Sequence, residues 1–209
     1  MNSAPEEPVV GSETNHTGLR PVVHQWLILG AAVFLTALLL VSHPPYSDPR
    51  DYIGYALRVT AWLSFSFFIV AYMARPLTQL FDDGWRRQLG DYAVAQRRYF
   101  GLGAAFIHTV HFGYVVVFLL GPGGGTELLT LVFGGGAFVL LWAMAITSNR
   151  RAMLALGPRW KLLHRVGMHY LWFIFTITLF GRVGLSLMSS LLFALALFAA
   201  LLRFAASRR

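Results

Sequence analysis

Six apolar runs, each about as long as a bilayer is thick, constrain this chain more than any other feature. They lie near residues 22–42, 52–74, 99–120, 127–147, 162–181 and 183–204. A helix needs about 20 mostly apolar residues to cross the hydrocarbon core. The runs are continuous and lack the period-2 alternation of lipid-facing strands, so they predict helices rather than a barrel. Composition agrees: 56% of the 209 residues are hydrophobic and 12% are charged, against about 45–50% and about 25% in soluble domains. There is too little polar surface to clothe a soluble core. The expected fold class is therefore all-α, a six-helix transmembrane bundle whose solvent is the lipid bilayer. The net charge of +8 does not point to nucleic acid, because the basic residues are scattered between spans.

Where those basic residues fall predicts an orientation. Segment 75–98 carries Arg75, Arg86, Arg87, Arg97 and Arg98, and segment 148–165 carries Arg150, Arg151, Arg159, Lys161 and Arg165. The C-terminus adds Arg203, Arg208 and Arg209, whereas the alternate connections offer only Arg50 and Arg182. The positive-inside rule then places both termini in the cytoplasm. Residues 1–21, with Glu6, Glu7 and Glu13 and no signal-peptide pattern, read as a disordered cytoplasmic tail. Residues 205–209 read as a basic cytoplasmic end. Trp26, Tyr52, Tyr99, Trp160 and Tyr170 stand near span ends, where aromatic rings anchor at the interface. Gly121, Pro122, Gly123, Gly124 and Gly125 read as a short outer turn. Gly134, Gly135 and Gly136 fall inside the fourth span and suit a close approach by a helix or a cofactor.

The chain has no cysteine, so a metal or cofactor must be held by His, Met or carboxylate. His16, His24 and His43 lie outside or at the edge of the spans and receive no role. His108, His111, His164 and His169 lie within apolar spans, where an ionisable residue is costly and points to function. Two helices bearing histidines are the minimum equipment for a bis-histidine b-type heme. His108 and His111 share one helix face, about 4.5 Å apart in height. His164 and His169 are about 140° apart around their axis and cannot both face one partner. Each histidine, taken alone, also reads as a hydrogen-bonding group between helices. Arg58, inside the second span, either snorkels to the outer headgroups or pairs with a heme propionate, and Arg97 and Arg98 offer the same pairing on the cytoplasmic side.

Two segments carry a family resemblance. One is Arg97-Arg98-Tyr99-Phe100-Gly101-Leu102, running on to His111; the other is Thr147-Ser148-Asn149 followed by Leu156-Gly157-Pro158-Arg159-Trp160-Lys161-Leu162-Leu163-His164. From about residue 50 onward the chain resembles the heme-binding membrane subunits of the bacterial protein-methionine-sulfoxide reductase systems, within the ferric-reductase-like transmembrane superfamily. The resemblance implies a bacterial inner-membrane, multi-pass protein that passes electrons through heme b to a periplasmic molybdopterin oxidoreductase. It implies a quinol or a cytosolic flavin reductase as donor, with FMN or quinone as a further cofactor. By position, His111 carries over as a heme iron ligand, His164 as the histidine opening the fifth span, and Arg97 as the basic residue before the third. The family's second fifth-span histidine falls at Ile177 here, so the usual partner of His111 is missing. His169, set against His108, is the substitute the chain offers; the alternative is that heme binding is altered or lost.

Three functions are consistent with these residues. The leading one is a b-heme electron-transfer subunit of an oxidoreductase rather than a complete enzyme, since no Rossmann or flavin-domain pattern accompanies the spans. The second is a partner subunit of a ferric or oxygen reductase. The third, of a different class, is a heme-free transporter or assembly protein whose intramembrane histidines are structural.

Overall fold

The computed structural model describes residues 21–43, 45–121, 125 and 128–209. Among them are seven helices and no strand: α1 (Pro21–Val41), α2 (Pro49–Leu80), α3 (Gly84–Leu120), α4 (Leu128–Ile146), α5 (Arg150–Leu156), α6 (Pro158–Phe180) and α7 (Leu187–Ser207). All but the last residue of the expected 1–21 tail, including His16, lie outside the described residues, as do Pro122, Gly123 and Gly124 of the expected outer turn.

Each expected span falls on one helix, but the structure differs from the sequence reading in three places. First, α1, α2, α3 and α7 are each long and apolar enough to cross a membrane alone, and α4 passes that measure with α5, across a 106° bend. Among the described residues the measure thus counts four spans, or five with the bent pair, where six are expected. The span expected over 162–181 lies in the 23-residue α6, which opens with Arg159, Lys161 and Arg165 and is less apolar for it. Second, the 148–165 connection is not irregular. Asn149 caps α5 by accepting from the Ala152 amide at 2.8 Å. Gly157, at φ +50°, then turns the chain, and Pro158 starts α6.

Third, the long basic loop expected at 75–98 is a helical hairpin. α2 has 32 residues and α3 has 37, or about 48 and about 55 Å at 1.5 Å per residue, well beyond a core of about 30 Å. Only residues 81–83 separate the two helices. The hairpin closes tightly because Gly90 sits against Thr78 and Leu77: a Cβ there would meet the Thr78 amide nitrogen at 3.0 Å. Arg87 bridges the same turn, donating to the Thr78 carbonyl at 3.1 Å and to Asp91 at 3.1 Å.

The α2–α3 pair is the most extensive helix packing in the fold, and the other helices gather around it. Phe65, Phe68 and Tyr72 of α2, Ala104, Ala105 and Ile107 of α3, and Leu171 and Phe175 of α6 form the buried centre. Small residues permit the close approaches. A Cβ at Gly103 would lie 2.8 Å from a Phe67 ring carbon and 3.3 Å from the Ala32 Cβ, so α1, α2 and α3 meet there. A Cβ at Gly167 would lie 2.6 Å from the Met144 sulfur, where α6 crosses α4.

Pro76 within α2 sets up a different junction. Proline has no N–H, so the Tyr72 carbonyl four residues earlier loses its helical donor. Arg203 of α7 supplies one: its Nη1 donates to that carbonyl at 3.1 Å, and its guanidinium carbon lies 4.4 Å from the centre of the Tyr72 ring.

Candidate functional site

The two α3 histidines lie on one face, their rings stacked with centroids 5.1 Å apart. α2 meets them with hydroxyls four residues apart. His111 Nδ1 is 3.1 Å from Thr60 Oγ1, and His108 Nδ1 is 3.4 Å from Ser64 Oγ. Thr60 and Ser64 are buried, and each spends its single proton on a backbone carbonyl: Thr60 on Ala56 at 2.6 Å, Ser64 on Ala104 at 3.2 Å. With the hydroxyl protons on those carbonyls, the oxygens accept and each imidazole donates from Nδ1, the tautomer that leaves Nε2 as a lone pair. A metal-ligating histidine is oriented in the same way, by a hydrogen bond from its other nitrogen.

His164 follows the same rule at a lower level of the bundle. Its Nδ1 lies 3.1 Å from the Trp160 carbonyl, which can only accept, and its ring stacks on Trp160 at 4.1 Å. Trp160 is in turn pinned through its indole N–H to the Thr147 carbonyl at 2.9 Å. Nε2 lies 3.4 Å from the Ser148 hydroxyl, which spends its own proton on the Met144 carbonyl at 2.6 Å, so both ring nitrogens of His164 face hydrogen-bond acceptors. His164 lines a cavity of about 500 Å³ between α2, α3, α4, α5 and α6, within the 300–1,000 Å³ typical of ligand pockets. Its polar rim is Arg97, Arg98, Asn149 and Arg150, and its floor is Phe68, Leu141, Met144, Met168 and Leu171. Among the described residues no carboxylate lines it. The cavity thus offers a basic imidazole, two arginines from α3 and an apolar bed, a donor set that suits a flat, anionic, iron-bearing macrocycle. Among the described residues no group of three or more His, Asp or Glu gathers to hold a bare metal ion. A heme iron asks less of the protein, since the macrocycle supplies four of its ligands.

The remaining candidates lie apart. His169 faces the other side of α6, with Nδ1 3.3 Å from the Tyr72 hydroxyl, in a groove between α2 and α7. His108 instead meets Phe138 of α4 and Phe175 of α6 at 6.3 and 5.7 Å. The two rings thus take different partners, and the structure does not bring His169 and His108 together. What α6 presents to His108 is Phe175. Ile177 is 53% exposed and turned away from the core. Arg58 is exposed and runs back along its own helix, its Nη1 3.9 Å from where a Gly54 Cβ would stand.

Sequence reasoning did not single out Thr60 or Ser64, and named Ser148 only within the Thr147-Ser148-Asn149 string. The signal for the first two was two hydroxyl residues four apart in an apolar run. Gly136 gives its space to a side chain: Tyr170 packs on it and donates to the Phe133 carbonyl at 3.1 Å. Tyr170 is thereby a bridge from α6 to α4, not only an interfacial ring. Tyr52 likewise reaches the Leu40 carbonyl at 3.3 Å and the Tyr114 hydroxyl at 3.2 Å.

These features define an α-helical, multi-pass membrane protein with ordered imidazoles in its interior. Comparison with known proteins narrows the class. The chain is 39% identical over 89 residues to the protein-methionine-sulfoxide reductase heme-binding subunits MsrQ of Bordetella parapertussis and of Bordetella bronchiseptica. The match covers 38% of this chain and 42% of each relative, so the chain spans less than half the length of the curated relatives it matches. No protein-family model and no solved structure matches.

Proposed function

We propose that this protein is a heme-binding electron-transfer subunit that carries electrons across a bacterial inner membrane, with six spans and both termini cytoplasmic. The observation that carries the reading is the cavity in which His164, its ring oriented by Trp160, stands with Arg97 and Arg98 over an apolar floor, with His108 and His111 oriented through Nδ1 farther along α3. The partial likeness to heme-binding subunits supports it. Heme b, when bound, supplies the one-electron chemistry. The chain's own residues do the rest. His164 offers Nε2 in the cavity, stacked Trp160 holds the ring in place, and Arg97 and Arg98 pair with propionates. The apolar floor excludes water. His111 and His108, farther along α3, are the second pair of imidazoles on the route to the opposite face. The donor is a quinol or a cytosolic flavoprotein, FMN-bearing in the latter case, drawn to the basic end. The acceptor is a periplasmic methionine-sulfoxide reductase of the molybdopterin type.

Difference spectra of protein purified from heme-replete cells test the proposal. The expected result is a reducible Soret and α-band, a heme-to-protein ratio near one, and loss of that heme in H164A. Full-length folded protein without reducible heme, or H164A with unchanged heme content, overturns it. The hydrogen bonds from His108 and His111 to α2 favour a second reading, in which the imidazoles only tie helices together. H111A then loses stability while the cofactor content of the membrane protein stays at zero.

A further inference from the structure

The groove between α2 and α7 lies outside the proposed heme cavity. It has a volume of about 530 Å³, and Tyr72, Arg75, Gln79, His169, Arg203 and Phe204 are among its lining residues. Arg203 is not a wandering surface cation. The carbonyl that Pro76 frees and the face of the Tyr72 ring hold it in place. That bond uses one of the five guanidinium donors. Arg75 is exposed on the same wall and has no side-chain partner among the described residues. Among the described residues no carboxylate lines the groove; the Arg87–Asp91 pair lies in the α2–α3 hairpin, and at the end of the groove, beyond Gln79 and Ser207, Asp82 is paired with Arg209. Two guanidiniums thus share a recess that no described carboxylate lines, and their mutual repulsion favours an anion between them. The groove opens between two helices that are each able to cross a membrane. Its apolar wall is Ala200 and Phe204, and Phe204 is 58% exposed. An anion with an apolar tail fits both halves; a free inorganic anion fits only one.

We propose that the α2–α7 groove binds the phosphodiester headgroup of an anionic phospholipid, with Arg75 and Arg203 on the phosphate, Gln79 beside them, and an acyl chain lying along Phe204. Recognition by a built recess differs from the diffuse attraction of basic loops for anionic lipid. It is stoichiometric, and it depends on where a charge is and not on how many there are.

Native mass spectrometry of the full chain in detergent, titrated with phosphatidylglycerol or phosphatidylcholine, tests it. The expected result is one saturable phosphatidylglycerol adduct that phosphatidylcholine does not reproduce. R75Q weakens it about fivefold, and R151Q, which removes the same charge from the α5 surface, leaves it unchanged. Q79E, which adds a negative charge without touching either arginine, weakens it as well. Equal weakening by R75Q and R151Q overturns the proposal, as does equal binding of the two lipids. Displacement by millimolar inorganic phosphate shows an anion site with no lipid component and likewise overturns it.

Discussion

Removing Arg203 should cost far more in the native chain than in one whose α2 helix has been repaired at position 76. The Tyr72 carbonyl has no helical donor because residue 76 is proline, and Arg203 Nη1 fills the gap at 3.1 Å while its guanidinium lies over the Tyr72 ring at 4.4 Å. A hydrogen bond from a charged donor contributes about 1.5–3 kcal/mol, and a cation–π contact about 0.5–2 kcal/mol when partly desolvated. R203M should therefore destabilise the native protein by about 2–4 kcal/mol, the side chain's apolar volume being largely kept. In P76A the backbone N–H restored at position 76 satisfies the carbonyl, so R203M loses only the ring contact. The predicted coupling between positions 76 and 203 is about 1.5–3 kcal/mol, roughly a 10- to 150-fold difference in the folding equilibrium. Unfolding equilibria of the four proteins in bicelles measure it. If R203M costs the same in both backgrounds, within about 0.5 kcal/mol, the account of this junction is wrong.

Other outcomes follow from the same geometry. T60V removes the acceptor of the His111 Nδ1 proton; if His111 ligates heme, the midpoint potential and α-band shift while the heme content stays constant. R97Q/R98Q should lower heme occupancy in purified protein by about tenfold, as loss of paired propionate contacts implies, with the helical circular dichroism unchanged. G167A places a Cβ 2.6 Å from the Met144 sulfur and should destabilise the bundle by about 1–3 kcal/mol; M144A on top of it should recover part of that in a thermal melt. G90A, against the rigid Thr78 backbone, should cost a similar amount and leave any heme spectrum as it was.

The apolar runs and the arginines between them sufficed to show a helical, membrane-embedded chain, because bilayer thickness and backbone hydrogen bonding leave few alternatives. The spacing of His108 and His111, and of His164 and His169, likewise put the first pair on one face and the second on two, since helix geometry depends on nothing beyond the helix itself. The hairpin at 75–98 was not legible, because polar residues are equally at home in a loop and on a helix that has left the membrane. Which partners the imidazoles took depended on residues far apart in sequence. Thr60 meets His111, Ser64 meets His108, Ser148 meets His164, and Tyr72 meets His169. Only packing fixes those pairs, and with them which nitrogen of each ring meets a partner. The same holds for Arg203 and Pro76, which lie on different helices: the sequence shows a proline that must orphan a carbonyl, but only the tertiary structure decides which side chain answers it.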